Sequence, residues 1–184
     1  MRDLVALVQQ RVLAASAEPT GFVADAEEPI DVPELELAES SLGFPLPQLL
    51  KRLYLEIANG GFGPGYGLMG LVSGFRDDCG DTALESYELR VEPDPAEPGW
   101  NWPAGLLPIC TWGCAIYSCI DCSKSIGFPM VIFDPNLSAS WDECLIPECD
   151  SFDEWIAIWA GGGDLWERMY GSEGRVIEIE RRGR

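Results

Sequence analysis

The chain predicts an α+β fold, and three stretches carry that reading. Between residues 33 and 57, apolar side chains recur at the three- and four-residue spacing of helices with one buried face. Between 106 and 134 the pattern changes to short apolar runs bounded by turn residues. From Ser151 a helical stripe returns, formed by Phe152, Trp155, Ile156 and Trp159. With 184 residues, 47% of them apolar, the chain is long enough for one domain with a sizeable core.

Residues 2–15 form the first helix candidate, with Leu4, Leu7 and Val8 at helical spacing. Residues 18–31 are an acidic, Pro-containing loop. Pro33 suits the first turn of a helix that follows Asp31 or Val32, buries Leu35, Ala38 and Leu42, and stops at Gly43. Leu46-Pro47 opens the next helix, with Leu49, Leu50, Leu53, Tyr54 and Ile57 as its stripe. Gly60, after Asn59, is expected to cap it in the left-handed conformation. Residues 66–72 predict a short strand whose glycines allow close backbone approach. Residues 81–91 predict a short helix with an acidic first turn, and 92–105, with four Pro and two Trp, a structured loop. Residues 106–111, 115–122 and 129–134 predict a meander of two hairpins, and 141–146 a further strand. Ser151 and Glu154 have the spacing of a capping box, and Gly161-Gly162-Gly163 ends the last helix.

Twelve basic residues face 31 acidic ones, a net charge of −19. Four Arg lie in the last ten residues, so residues 1–174 hold eight basic and 29 acidic side chains, a net −21. A field of that sign repels nucleic acid and anionic membranes and attracts basic partners, and it also keeps a domain soluble. The basic end is too short for a nucleic-acid arm and reads as an edge strand (Val176, Ile177, Ile179) or a frayed end. No apolar run reaches the roughly 18 residues of a membrane span. Met1-Arg2-Asp3-Leu4 lacks the layout of a signal peptide, so the expected location is the cytoplasm.

The absence of His excludes Ser-His and Cys-His nucleophile pairs, histidine acid–base catalysis and His-containing zinc sites. Seven Cys, an odd number, argue against a secreted disulfide scaffold. Four form the series Cys110-x3-Cys114-x4-Cys119-x2-Cys122, a conceivable thiolate set for zinc. The spacing lacks the two tight pairs of a zinc ribbon. Strand alternation also places Cys119 with Tyr117 and Asp121, and Cys122 on the opposite face with Ile116 and Ile120. Cysteines acting as small apolar residues are the expected reading, with zinc and redox roles as alternatives. Cys144 and Cys149 flank a Pro-containing turn and could approach each other, yet unbridged thiols are expected. No cofactor is expected. Carboxylate pairs of the glycosidase kind are numerous, but no flanking motif selects one, so catalysis is not expected.

Three clusters join acids to one another or to aromatics: Asp77, Asp78, Asp81 and Glu85; Glu97 beside Trp100 and Trp102; and Trp141 with Asp142 and Glu143. Lys and Arg of a partner would meet the carboxylates, and exposed Trp would anchor the contact. The competing expectation is that the Trp are core and the acids a solvated face. Trp155 and Trp159 are assigned to the core.

One ordered series remains. Glu39-x-x-Leu42-Gly43-x-x-Leu46-Pro47 leads into the stripe at 49–57, then Asn59-Gly60-Gly61 and Gly67-Leu68-Met69-Gly70-Leu71. Trp102-Pro103, Leu106-Leu107-Pro108-Ile109, Gly113, a strand from Ile116 to Asp121, Val131-Ile132-Phe133-Asp134 and Ser151-Phe152-x-x-Trp155 follow in order. Each piece is common alone. The series over 33–161 resembles the SUKH superfamily, which includes yeast cell-wall assembly regulators and many bacterial immunity proteins. The resemblance implies a single domain with helices packed on a mixed, mostly antiparallel central sheet, and binding without catalysis. For bacterial members it implies neutralisation of a toxin, as in toxin–antitoxin and polymorphic toxin systems. Residues 1–32, a helix and acidic loop, and 162–184, an extension with a basic tail, exceed the pattern, and the cysteine density at 110–122 departs from it. Joined to the charge, the resemblance leads to an immunity protein that occludes a basic toxin domain such as a nuclease, with no nucleic-acid or membrane partner. A regulatory scaffold and a Cys-rich metal-binding module are the alternatives.

Overall fold

A computed structural model of the protein describes residues 3–16, 26–93, 95–96, 99–138, 140–171, 174 and 176. The first helix, α1 (Leu4–Ser16), buries Val5 and Val8 and packs on α5 (Phe152–Ala160). α2 (Val32–Leu42) starts as its sequence dictates. Asp31 Oδ1 accepts the Glu34 N–H at 2.9 Å, the Glu34 carboxylate accepts the Asp31 N–H, and Pro33 fills the first turn. Leu35, Ala38 and Leu42 are its buried face, and Gly43 follows in the left-handed region.

α3 (Gln48–Glu56) buries Leu50, Leu53 and Tyr54, with Leu49 and Ile57 half-buried beside them. Gly60 does not cap it: the helix closes at Ile57 in a right-handed conformation. The φ of 86° at Gly60 serves a close approach instead, since a Cβ there would lie 2.6 Å from both the Gly70 nitrogen and the Leu68 oxygen. Residues 66–72 are not the predicted strand. They contribute one bridge, Leu68 to Cys110. Their other backbone groups are shared among three neighbours: Gly61 N–H donates to Leu68 O at 2.8 Å and Leu71 N–H to Asn59 Oδ1 at 2.9 Å, Tyr66 and Met69 donate to Thr111 O and Ile109 O of the strand at 106–113, and Gly70 donates to Phe75 O. α4 (Ala83–Val91) begins with a reciprocal capping box between Thr82 and Glu85.

The strands β1 (Leu106–Gly113), β2 (Ile116–Asp121), β3 (Met130–Phe133) and β4 (Leu145–Cys149) pair in chain order, each pair antiparallel. The strand predicted for 141–146 starts later, because Trp141–Cys144 form a 3-10 turn. Two hydroxyls fix that turn, Ser138 Oγ donating to Glu143 and Ser140 Oγ to Asp142, both at 2.6 Å. Register sets Tyr117 opposite Phe133 on one face of the sheet and Ser118 opposite Ile132 on the other. Both faces are covered, so β2 is buried along nearly its whole length and its sequence reads as a continuous apolar run.

The first face lies under α4 and the loop before β1: Arg90 sits over the Tyr117 ring and Trp102 packs edge-on to Phe133. The second carries Ile116, Ile132 and Ile146 against Met169 of α6 (Leu165–Tyr170). Val176 is buried in that same cluster in a helical conformation, not on an edge strand, and Ile177 and Ile179 lie outside the described residues. α5 buries Phe152, Trp155 and Ile156, and Trp159 is half-buried against the core. Ser151 Oγ accepts the Glu154 N–H at 3.1 Å, and Gly161 follows the last turn. No described helix is long and apolar enough to cross a membrane.

Candidate binding surface

The first acidic cluster divides into inward and outward groups. Asp77 is 8% exposed; its Oδ1 accepts the N–H groups of Cys79 and Asp81 at 2.9 Å each, and its Oδ2 accepts the Tyr117 hydroxyl at 2.9 Å. Asp77 therefore ties the 77–81 turn to β2. Burial, then this bond, pushes the Tyr117 hydroxyl well above its usual range. Glu85 accepts the Thr82 N–H at 2.8 Å and pairs with Arg76 at 2.7 Å, and these contacts hold its carboxyl below the ordinary range. Burial, then the neighbouring Asp77 and Glu85, raises Asp81. Asp78 is exposed and accepts the Thr111 hydroxyl at 3.4 Å. It borders a cleft of about 500 Å³ between the 75–78 turn and the end of β1, whose walls include Tyr66, Phe75 and Cys114.

The second and third clusters meet. Trp102 is buried, its Nε1–H donating to Leu106 O at 2.7 Å, so its ring is scaffold and not outer surface. Trp100 stacks on it at 5.8 Å, donates from Nε1 to Arg90 O at 2.8 Å, and lies 6.0 Å from Trp141. Trp100 and Trp141 are half-buried, while Asp142 and Glu143 are exposed beside them. Glu97 lies outside the described residues. Arg90 joins the two regions, with its guanidinium 4.3 Å from the Tyr117 ring centroid and 5.4 Å from that of Trp102. A continuous chain of contacts thus runs Asp77, Tyr117, Arg90, Trp102, Trp100, Trp141. Sequence reasoning missed Arg90 and Tyr117, and nothing local distinguishes either from an ordinary helix or strand residue.

The cysteine series does not converge. Cys110 pairs across the strands with Ser118, so it faces away from Cys119, and Cys114 is exposed on the β1–β2 turn. Burial raises the thiols of Cys110 and Cys119 strongly and pushes Cys122 up to about 12, so all three are neutral, unreactive thiols near pH 7. Cys144 and Cys149 do not flank a turn. Cys144 ends the 3-10 turn and Cys149 ends β4, so the extended strand separates them, and both thiols are unbridged. Ligand atoms of Asp77, Asp78 and Cys79 lie within 4.8 Å of one another, but both Asp77 oxygens already accept hydrogen bonds.

Compared with protein families, residues 29–158, well over half of the chain, match the model of the SMI1/KNR4 family (SUKH-1). The chain belongs to the SMI1/KNR4 family. No curated protein gives a match. In this SUKH-1 chain the signature residues face inward. Glu39 accepts the Leu46 N–H at 2.7 Å and pairs with Lys51 at 3.1 Å, which fixes the corner between α2 and α3. The Tyr54 hydroxyl donates to Met69 O at 2.7 Å, and Asn59 holds Leu71. The SUKH-1 pattern therefore marks the scaffold, and the outer acids are not part of it. Several of the described cations are turned to the chain's own use as well: Arg52 pairs with Asp3 and Glu56, Arg76 with Glu85, and Arg168 with Glu154.

Proposed function

We propose that this SUKH-1 protein is a non-catalytic binding protein that works in the cytoplasm as an immunity protein, neutralising a basic toxin domain. The observation that carries the reading is the disposition of charge. A chain of net −19 engages Lys51, Arg52, Arg76 and Arg168 in ion pairs with its own carboxylates and Arg90 with its own rings. Among the described residues the outward charge is then mostly negative, with Arg11 and Lys124 as exposed cations outside these pairs. Such a field accelerates encounter with a positive partner, and the contact then covers the partner's basic face. A nuclease fits this description because its substrate-binding face must be positive. On this reading the contacts are made by Asp78 and Asp81 from the acidic turn, and by Trp100, Trp141, Asp142 and Glu143 from the merged cluster. The half-buried indoles anchor, and the carboxylates meet Lys and Arg.

The test is capture at low salt from the organism's own lysate, with the recovered proteins identified by mass spectrometry, followed by association kinetics with the purified partner. The expected partner is one basic toxin domain, whose toxicity in cells is relieved by co-expression of this chain. Its association rate should fall at least about tenfold between about 0.05 M and about 0.5 M salt. Recovery of kinases or wall-synthesis proteins instead would replace immunity with regulation. A rate independent of salt would remove electrostatic steering from the mechanism.

A further inference from the structure

The cleft beside the acidic turn is walled by three separate segments: Tyr66, the 75–78 turn, and the end of β1 from Thr111 to Cys114. Thr111 pairs in register with Tyr117, so the cleft lies on the same side of the sheet as the bond between Asp77 and Tyr117. Tyr66 is 45% exposed and is held from below. Its N–H donates to Thr111 O at 3.0 Å, and its ring lies on the backbone of Gly113, where φ is 80° and a Cβ would stand 2.9 Å from the ring. Phe75 is half-buried. Asp78 is exposed, and its Oδ1 accepts the Thr111 hydroxyl at 3.4 Å, which ties the acidic turn to β1. Among the described residues none donates to Asp78 Oδ2. An aromatic wall held in place beforehand loses little entropy when a partner covers it.

The charge around the cleft specifies what fills it. Arg76 also lines it, but its guanidinium donates to Glu85 at 2.7 Å and to Gly80 O at 2.6 Å, so its charge is answered within the chain. Across the turn and the start of α4, Asp77, Asp78, Asp81 and Glu85 stand against Arg76 and Arg90, an excess of carboxylate. The complementary occupant is a cation. Lysine fits best, because its hydrocarbon stem can cover the Tyr66 and Phe75 rings while the ammonium reaches a carboxylate. Arginine fits less well. Its fork pairs best with a carboxylate that has both oxygens open, whereas Asp78 Oδ1 is taken by Thr111 and a guanidinium already stands at the cleft in Arg76. We infer that the cleft between Tyr66, Phe75 and Asp78 receives a lysine side chain of the basic protein partner. The inference rests on the proposed basic partner and adds to it the place of entry and the cation that is read.

Octa-lysine and octa-arginine peptides serve as probes, titrated at low salt into the ¹⁵N-labelled full chain. The expected result is movement of the amides of Tyr66, of residues 75–78 and of residues 111–114, reached at a lower concentration of octa-lysine than of octa-arginine. Asp78→Asn, at an exposed position, should weaken octa-lysine about 5-fold. A second perturbation leaves the charge unchanged: with Cys79→Ser as background, N-ethylmaleimide on exposed Cys114 should fill the cleft and also weaken octa-lysine. Shifts centred on residues 140–143, or an affinity unchanged by either perturbation, would overturn the cleft while leaving the basic-partner reading standing. Tighter binding of octa-arginine at the cleft amides would overturn the inference in favour of a guanidinium. Binding of neither peptide at low salt would overturn both the inference and the reading beneath it.

Discussion

Replacing Asn59 with Ala tests whether the family signature holds the fold. Asn59 is 2% exposed; its Oδ1 accepts the N–H of fully buried Leu71 at 2.9 Å, and its Nδ2 donates to Ser73 Oγ at 3.1 Å. Truncation strands the Leu71 N–H where water does not reach, which costs about 1–3 kcal/mol. The bond to Ser73 contributes little, because Ser73 is exposed and water replaces it. The expected loss is about 2 kcal/mol. For a chain of 184 residues that lowers the melting temperature by about 4–8 °C. Urea unfolding followed by tryptophan fluorescence measures it, with an unchanged m-value as the sign that the native state alone is affected. Ser73→Ala is the internal control and should cost less than about 0.5 kcal/mol. Equal losses in the two variants, or a loss under about 0.5 kcal/mol for Asn59→Ala, would refute the reasoning, because the Leu71 N–H would then have found another acceptor.

Three further outcomes follow from the geometry. Gly60→Ala should cost more than about 3 kcal/mol, since its Cβ meets backbone atoms at 2.6 Å, whereas Gly43→Ala, with nothing within 4 Å, should cost only the left-handed penalty of about 1–2 kcal/mol; the same unfolding assay ranks them. Glu85 is held below its usual 4.5, first by the Thr82 N–H and further by Arg76, so its contribution is present above about pH 4.5 and lost as pH falls through the folded value. The stability gap between the wild type and Glu85→Gln should therefore be constant from about pH 7 to about pH 5 and close toward about pH 3; a gap that persists in acid would show that the side chain acts through packing. A thiol reagent should modify exposed Cys79 and Cys114 rapidly, and Cys110 and Cys119 only on unfolding; rapid modification of either buried thiol would mean that β1 or β2 opens readily.

The helices were legible where their ends carry local chemistry. Asp31, Glu34 and Pro33 start α2, and Thr82 with Glu85 starts α4, through contacts no more than three residues apart. The meander was legible because each hairpin joins neighbours in sequence. Residues 66–72 misled because Leu68, Met69 and Leu71 are buried as strand residues would be, while Leu68 O and the Leu71 N–H are bonded by Gly61 and Asn59, and the Gly70 N–H by Phe75 O, which turns the segment into a loop. The surface was less legible than the fold. That Asp77 turns inward depends on Tyr117, and that Trp100 meets Trp141 depends on the packing of two distant loops. The contact of Trp112 with Trp166 likewise joins the end of β1 to a helix more than fifty residues later, which no local pattern announces.

The absence of His and the burial of thiols together bear on how any complex of this protein responds to acidity. With no imidazole in the chain, and with Cys110, Cys119 and Cys122 raised far from neutrality, its surface charge is nearly constant between about pH 5.5 and about pH 7.5. A change in binding strength across that window then reports chiefly protons taken up or released by the partner, with Asp81, raised by burial and by Asp77 and Glu85, as this chain's own contribution at the contact. Comparing the slope of log Kd against pH for the wild type and Asp81→Asn would separate the two.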